Sequence, residues 1–487
     1  MNATHLALER ADFFVRNVHT RLPFRYGKAT LVAMPVLHVR LLCRDENKTQ
    51  SEGCSADCLP PKWFDKSPEK SFRINVEDLL KAIRIGAKIY QEEAATPDSV
   101  FSIWHRAHPR TVDASAREGL NALSGSFGSS LMERALMDAA CKLAGSGFGN
   151  WVREGGLGLD PGSIHAELQG FSAQLAFAVP PPKHLFIRHT VGLADPVWEA
   201  DIARQDHLDD GLPQSLEGWV KEAGIRYFKV KVVNDLSLDL PRLSSIGGLL
   251  ERFAQPGYRV SLDGNEQFKN VGEFKSWLEA LSAEENLRPF WKSILYFEQP
   301  IDRNAALDPS TASGLHNLPT PAPIIIDESD DSMGAFKQAV SLGYRGTSVK
   351  NCKGPIKGML NKMLAGYFNQ CHGGGFLLTG EDLANIPVVP LQQDLATLSL
   401  LGLEHAERNG HHYFHGLDHL SEKERADCLS RHGDLYEPFG ASGKLCIRDG
   451  RINLASLLGD GYGSCGKPDV GDLTPLGDWD FASLGAD

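Results

Sequence analysis

The chain has no run approaching the roughly 20 apolar residues that a membrane span needs, and its opening, "MNATHLALERADFFVR", lacks the apolar stretch of a signal peptide. It has no excess of positive charge. Its 50 Lys and Arg against 62 Asp and Glu leave a formal charge of −12, which disfavours nucleic acid and anionic membrane surfaces as partners. It has no disulfide framework: the nine cysteines are odd in number and scattered, Cys43, Cys141, Cys352 and Cys428 among them. That pattern predicts a protein of the reducing cytoplasm. Cys54 and Cys58 have no second Cys or His pair at matching spacing, so they read as two free thiols in a loop and not as a metal clip. A dinucleotide-binding loop is also missing. "LAGSGFGNWVREGGLG" is rich in glycine but follows a helical stretch, where such a loop must follow a strand. There is no exact internal repeat and no low-complexity tract.

What is present divides into three regions. The 487 residues, 42% hydrophobic, suffice for two or three domains with well-buried cores. Residues 1–182 read as α+β. A strand-like run, "TLVAMPVLHVRLLCR", is followed by a polar loop from Asp45 to Ser71 and by helical stretches "VEDLLKAIRIGAKIYQEEAA" and "SSLMERALMDAACKLAG". The second of these repeats apolar residues at helical spacing, Leu131, Ala135, Leu136, Ala139 and Leu143, and stops at Gly145. Val179 to Lys183, "VPPPK", reads as a linker, since consecutive prolines hold the chain extended. From 183 to 416, short apolar strands alternate with helical stretches: "HLFIRHT", "YFKVKVV", "YRVSLDGN", "ILYFEQP", "PIIIDES", "RGTSVKN", "GFLLTGED" and a weaker eighth, "LSLLGLEH". Strands alternating with helices argue for a parallel sheet, and eight such units for a closed (β/α) barrel. Residues 417–487 form a third, C-terminal segment.

In such a barrel the active site is at the C-terminal ends of the strands. There the chain carries Lys229 and Lys231 on one face of the second strand, Asp263 ending the third, Glu298 the fourth, Asp327 the fifth and Lys350 the sixth. Each has an ordinary reading. The two lysines suit a solvated edge, Asp263 before Gly264 suits a turn, Glu298 suits a strand end before a proline, and Asp327 suits an N-cap. Three carboxylates on consecutive strand ends, however, repel one another in a desolvated mouth unless a cation sits among them. Oxygen-only ligation points to Mg²⁺.

The ordered set "FKVKVV", "LDGNEQF", "YFEQPI", "IDESDD" and "SVKNCKG" resembles the enolase superfamily, and within it the muconate-lactonizing-enzyme group of the mandelate racemase/muconate lactonizing enzyme family. "RLPFRYGKATLV" is similar to the start of that superfamily's capping domain. The resemblance implies a barrel capped by an α+β domain. It implies that Asp263, Glu298 and Asp327 bind Mg²⁺, that Lys231 is the base, that Lys229 modulates it and that Lys350 faces it across the substrate. Pairing of a Lys or His base with Mg²⁺ is general to such sites. Glu328 is expected to point away from the barrel interior by strand alternation, leaving the metal to Asp327. The chain departs from the resemblance in its length, in lacking a histidine at "TGEDL" and in lacking Asp-x-Asp near "LEHAERNGHH". The histidines at 405, 411, 412 and 415 read as exposed loop residues and not as a second metal site.

The chemistry follows from charge placement. Removing a proton next to a carboxylate leaves two negative charges on one conjugated unit, and a divalent ion stabilises that enediolate where it develops. The ammonium of Lys229 would disfavour a second one two residues along the same face, leaving Lys231 usable as a base. Asn265 is placed to hydrogen-bond a substrate or metal-bound oxygen. The loops Arg21 to Gly27, with Tyr26, and Leu59 to Phe64 are placed to contact substrate. The expected activity is Mg²⁺-dependent proton abstraction from a small-molecule carboxylate, followed by racemisation or epimerisation, dehydration or cycloisomerisation. The rivals are a Schiff-base lysine aldolase on the same barrel and a barrel kept for binding alone. A homo-oligomer is expected, with neither nucleic acid nor membrane as partner. In the tail, "GKLCIRDGRINL" predicts a hairpin about Arg448-Asp449-Gly450 packed on the N-terminal domain.

Overall fold

The computed structural model describes residues 3–27, 29–177, 180–320, 322–463 and 470–485. The N-terminal part is an antiparallel sheet of three main strands, β1 (His5–Tyr26), β2 (Ala29–Arg44) and β3 (Gln50–Cys58), backed by three helices, α1 (Phe72–Glu93), α2 (Val100–Arg117) and α3 (Ala122–Leu143). Side-chain alternation puts Leu37, Val39, Leu41 and Cys43 of β2 into the core. Each helix starts at a side-chain cap: Ser71 accepts from the Ile74 amide, Ser99 from that of Ser102 and Asn121 from that of Ser124. Helix α3 is buried continuously from Leu123 to Cys141, because β3 covers one side and α1 and α2 the other.

Strand β3 falls inside the segment expected to be a loop. Its residues, "QSEGCSADC", carry no β-branched or aromatic signal, and the strand exists because small side chains let it lie against α3. A Cβ at Gly53 would come within 2.0 Å of the Ala135 carbonyl oxygen. Ser55 donates to the Leu131 carbonyl at 2.6 Å, and the Cys54 amide donates to Asp138 at 2.9 Å. Cys54 and Cys58 are therefore buried strand thiols and not loop thiols.

The second half is a closed barrel of eight parallel strands: His184–Val191, Tyr227–Lys231, Arg259–Asp263, Ile294–Glu298, Ile324–Ile326, Gly346–Val349, Leu377–Gly380 and His405–Arg408, the eighth pairing back onto the first. The expected linker is in part outside the described residues, at Val179; Pro180 to Lys183 lead directly into the first strand. The eighth strand begins only at His405, the last residue of "LSLLGLEH", and runs to Arg408. The first three residues of that run end a helix, Val389–Leu400, buried on every side, and a short apolar run of this kind does not distinguish a buried helix from a strand. No helix among the described residues is long and apolar enough to cross a membrane.

The tail touches both halves. Asp449 and Gly450 do turn the chain with positive φ, but the expected hairpin is reduced to one bridge between Arg448 and Arg451. Ser442–Leu445 pairs instead with Tyr436–Phe439, and Arg451–Asn453 runs antiparallel to the first barrel strand, Ile452 opposite Leu185. Contact with the N-terminal sheet comes from other residues: Thr474 and Pro475 pair with Val15 and Phe14, and Glu424 takes Arg16 at 2.8 Å.

Glu133 on α3 ties the two halves at a different point. It is buried, accepts from the Ile356 amide at 3.3 Å, and burial pushes its carboxyl up to about 8. A folded-state value above the unfolded one means stability is fully present below the ordinary carboxylate range and is lost as pH rises through about 8. Glu133→Gln should remove that slope. Thermal melts should show the variant gaining on the wild type between about pH 5 and about pH 8; parallel melts at both would contradict the assignment.

Candidate active site

Strand register lines up the site. Lys231 pairs with Asp263 and Asp263 with Glu298 across strands two to four, while Glu298 pairs with Ile325, so Asp327 follows just beyond the fifth strand. Lys350 immediately follows the sixth. Lys229, two residues before Lys231, shares its inward face. All six are buried, and the structure brings them together in two connected groups. Lys229 donates to Glu298 at 2.8 Å and lies 3.0 Å from Asp263; Lys231 donates to Asp263 at 2.6 Å. Lys350 donates to Asp327 at 2.8 Å.

Four residues in these groups escaped the sequence reading. Glu381 and Glu407, from the ends of strands seven and eight, also accept from Lys229, at 2.8 and 3.0 Å. Arg188 of the first strand is wholly buried and ion-paired to Glu381. Lys353 reaches Asp327 at 3.1 Å because the turn Asn351–Lys353 is 3₁₀ and returns position i+3 to the same side. The Lys-x-x-Lys spacing was a signal for Lys353, and the glutamate in "TGED" was one for Glu381. Glu407 was hidden by the misplacement of the eighth strand.

Burial would strip Lys229 of its proton, but Asp263, Glu298, Glu381 and Glu407 outweigh it and hold the ammonium well above the usual lysine range. Lys229 is thus a fixed cation beside Lys231. Asp327 is opposed by burial yet held well below the usual carboxylate range by Lys350, Lys353 and Lys229. Lys350 is likewise kept charged, chiefly by Asp327, against its own burial. Glu298 goes the other way. Burial, with Asp263 and Glu381 close by, pushes it well above the usual range, and Lys229 offsets only part of this.

A small cavity opens here, with Lys229, Lys231, Asn265 and Lys350 on one side and Phe24, Tyr26, Leu31, Pro60 and Trp63 of the N-terminal unit on the other. The Asn265 amide donates to Asp263 at 2.8 Å, and its side-chain oxygen is buried with no hydrogen bond. Tyr26 spends its hydroxyl on the Pro61 carbonyl at 2.8 Å, so it offers the cavity its ring. Glu328 is buried too and faces Lys66 of the cap, 3.6 Å away, and Asn265. The histidines differ from expectation. His411 and His412 are buried, His411 hydrogen-bonded to His189 at 2.9 Å and His412 accepting from Trp219 at 2.8 Å. Among the described residues they form no metal cluster.

The donor set suits a hard divalent cation. Asp263, Glu298 and Asp327 supply only oxygen, Glu298 is short of compensating charge, and the Asn265 side-chain oxygen is buried without a hydrogen bond. Among the described residues, no three such side chains already converge as a ligand set; lysine ammonium groups stand between them.

No protein-family profile and no curated sequence matches the chain. Solved structures do. A mandelate racemase/muconate lactonizing protein from Herpetosiphon aurantiacus is 15% identical, with 95% of this chain and 99% of that one covered at a TM-score of 0.57. An enolase from Bradyrhizobium, complexed with magnesium and mandelic acid, is 14% identical, with 95% and 96% covered at 0.57. A dipeptide epimerase from Cytophaga hutchinsonii, complexed with Mg and D-Ala-L-Val, is 14% identical, with 96% and 99% covered at 0.58. The chain has the capped-barrel fold of the enolase superfamily. Within that fold its likeness runs to the mandelate racemase and muconate lactonizing proteins.

The cap loop after β3 is anchored at a point of strong charge. Arg303 takes Glu266 at 2.6 and 2.8 Å and donates to the Trp63 and Phe64 carbonyls at 3.0 Å, while Lys66 pairs with the same glutamate. Arg303→Ala should release the segment 59–70. Amide hydrogen exchange there should quicken by about tenfold or more, since bonds to charged groups are the stronger ones; unchanged exchange would show that the clamp does not hold the cap.

Proposed function

We propose that the protein is a Mg²⁺-dependent enzyme of the enolase superfamily that removes a proton α to a substrate carboxylate. The observation that carries this reading is that Lys229, Lys231 and Lys350 line one cavity and are hydrogen-bonded to the buried carboxylates Glu298, Asp263 and Asp327 respectively. Those three carboxylates would hold the metal, which supplies Lewis-acid stabilisation of negative charge on the substrate carboxylate. The magnesium-containing structures with mandelic acid and a dipeptide support the same class.

The chain's own residues divide the remaining work. Lys231 takes the proton. Lys229, held as a cation by four carboxylates, places fixed positive charge beside it. Lys350, four strands away around an eight-stranded ring, meets the substrate from the other side. Two lysines on opposite faces suit racemisation or epimerisation; one acting only as a cation suits dehydration or cycloisomerisation. Apolar cap residues exclude water, which strengthens each charge interaction within. A Schiff-base aldolase using Lys231 or Lys350 is disfavoured because it gives no role to three buried carboxylates, Asp263, Glu298 and Asp327, at consecutive strand ends.

Screening carboxylic acids for solvent deuterium incorporation at the α carbon tests the reading. Exchange should vanish when divalent ions are stripped and return with Mg²⁺. Lys231→Ala and Lys350→Ala should each lower it, by about 10²–10⁴-fold for a lost general base, and for a racemase each should spare exchange of one enantiomer. Wild-type exchange of both enantiomers in both variants would sink the proposal.

A further inference from the structure

Trp63 stands in the cap loop after β3, almost fully buried. Its ring lies 4.4 Å from the Lys350 ammonium and meets Phe64 edge-on at 4.7 Å. Its carbonyl is fixed by Arg303 at 3.0 Å. Its indole N–H, however, is buried with no hydrogen-bond partner. A buried tryptophan N–H normally has one, and leaving such a donor dry is costly. Because Trp63 lines the catalytic cavity, an acceptor on a bound molecule can supply the missing bond.

The carboxylates on the cavity wall have nothing left to offer a cation. Glu407 accepts from Thr190 at 2.8 Å, Lys229 at 3.0 Å and the Asp382 amide at 2.9 Å. Asp382 accepts from the amides of Leu383, Asn385 and Asn409 at 2.9–3.0 Å. A substrate ammonium group would meet Lys229, Lys231 and Lys350 without a free counter-charge. A polyhydroxylated acid fares no better against Phe24, Leu31 and Pro60, because each buried hydroxyl needs a partner. Among the described residues, the wall's buried side-chain atoms without a hydrogen bond are the Trp63 N–H and the side-chain oxygens of Asn265 and Asn409, too few to pair the hydroxyls of a polyhydroxylated acid. The cavity is small.

We infer that Trp63 is a specificity-determining residue and that the substrate is a carboxylic acid with a compact, uncharged apolar or aromatic body bearing a hydrogen-bond acceptor. This rests on the proposed reaction for its site but concerns binding alone. The test is calorimetric titration of the Mg²⁺-supplemented protein with phenylacetate, its ortho-, meta- and para-methoxy derivatives, para-(aminomethyl)phenylacetate and gluconate. At least one methoxy isomer should bind about tenfold more tightly than phenylacetate. The aminomethyl acid and gluconate should bind about tenfold or more weakly than phenylacetate. Trp63→Phe keeps a ring over Lys350 but removes the N–H, and the methoxy advantage should shrink to within about twofold. Tighter binding of gluconate or the aminomethyl acid, no methoxy advantage in the wild type, or an advantage that survives Trp63→Phe would overturn the inference; the wild-type ranking decides it even if the variant fails to fold. Deuterium exchange into the same acids keeps the two readings apart. The expected ranking without exchange upholds the substrate class and fails the reaction, whereas exchange into gluconate alone does the reverse.

Discussion

Lys229 sits at the axis of the barrel mouth with its ammonium within 3.0 Å of oxygens from Asp263, Glu298, Glu381 and Glu407. Taking any one of these ions out of water costs several kcal/mol, and only close, well-directed pairing repays it. The rest of the structure answers to that constraint. Strands three, four, seven and eight must each end where their carboxylate reaches the same point, and the second strand must present two lysines on one face. Arg188 from the first strand then balances Glu381, and Lys350 and Lys353 balance Asp327. A barrel is suited to this because it aims eight strand ends at one small volume.

The N-terminal unit supplies what the barrel lacks, a dry roof. The loop after β3 brings Trp63 over Lys350, and β1 brings Phe24 and Tyr26 beside it. The roof is held by a second charge group, Arg303 and Lys66 on Glu266, separate from the first. Floor and roof thus have different anchors. The floor's charges are locked among barrel strands, while the roof loop is tied by Glu266 with its two cationic partners and by Lys66 facing Glu328, and β1 by Arg21 on Asp210. Closing the roof lowers the local dielectric and raises the strength of every interaction below it.

Much of the floor was legible in the sequence because its signals are local. Two-residue alternation aligned Lys229 with Lys231, and Asp263, Glu298, Asp327 and Lys350 each stand where an apolar run stops. Their placement at one mouth agrees with that reading, while their roles as base and ligands belong to the proposal. Residues fixed by distant packing were not legible. Strand β3 owes its existence to the close fit of Gly53 and Ser55 against α3, which no propensity records. Glu407 vanished with the eighth strand, because the helix before it is buried all round and has no polar face. His411 and His412 looked like loop residues, yet His189 and Trp219 from elsewhere in the barrel bury them. In the tail the turn at Asp449 was readable, but its partner strand was not, since the edge it joins belongs to a strand more than 250 residues earlier.

The central claim is that the buried carboxylates on strands three, four and five are a metal site as well as partners for lysines. The direct measurement is a crystal structure grown with Mn²⁺ in place of Mg²⁺, read by anomalous scattering. The account predicts a single peak on the order of 2 Å from oxygens of Asp263, Glu298 and Asp327, with at least one lysine ammonium moved off its carboxylate. A mouth without a peak, its lysines still seated on all three carboxylates, would contradict it.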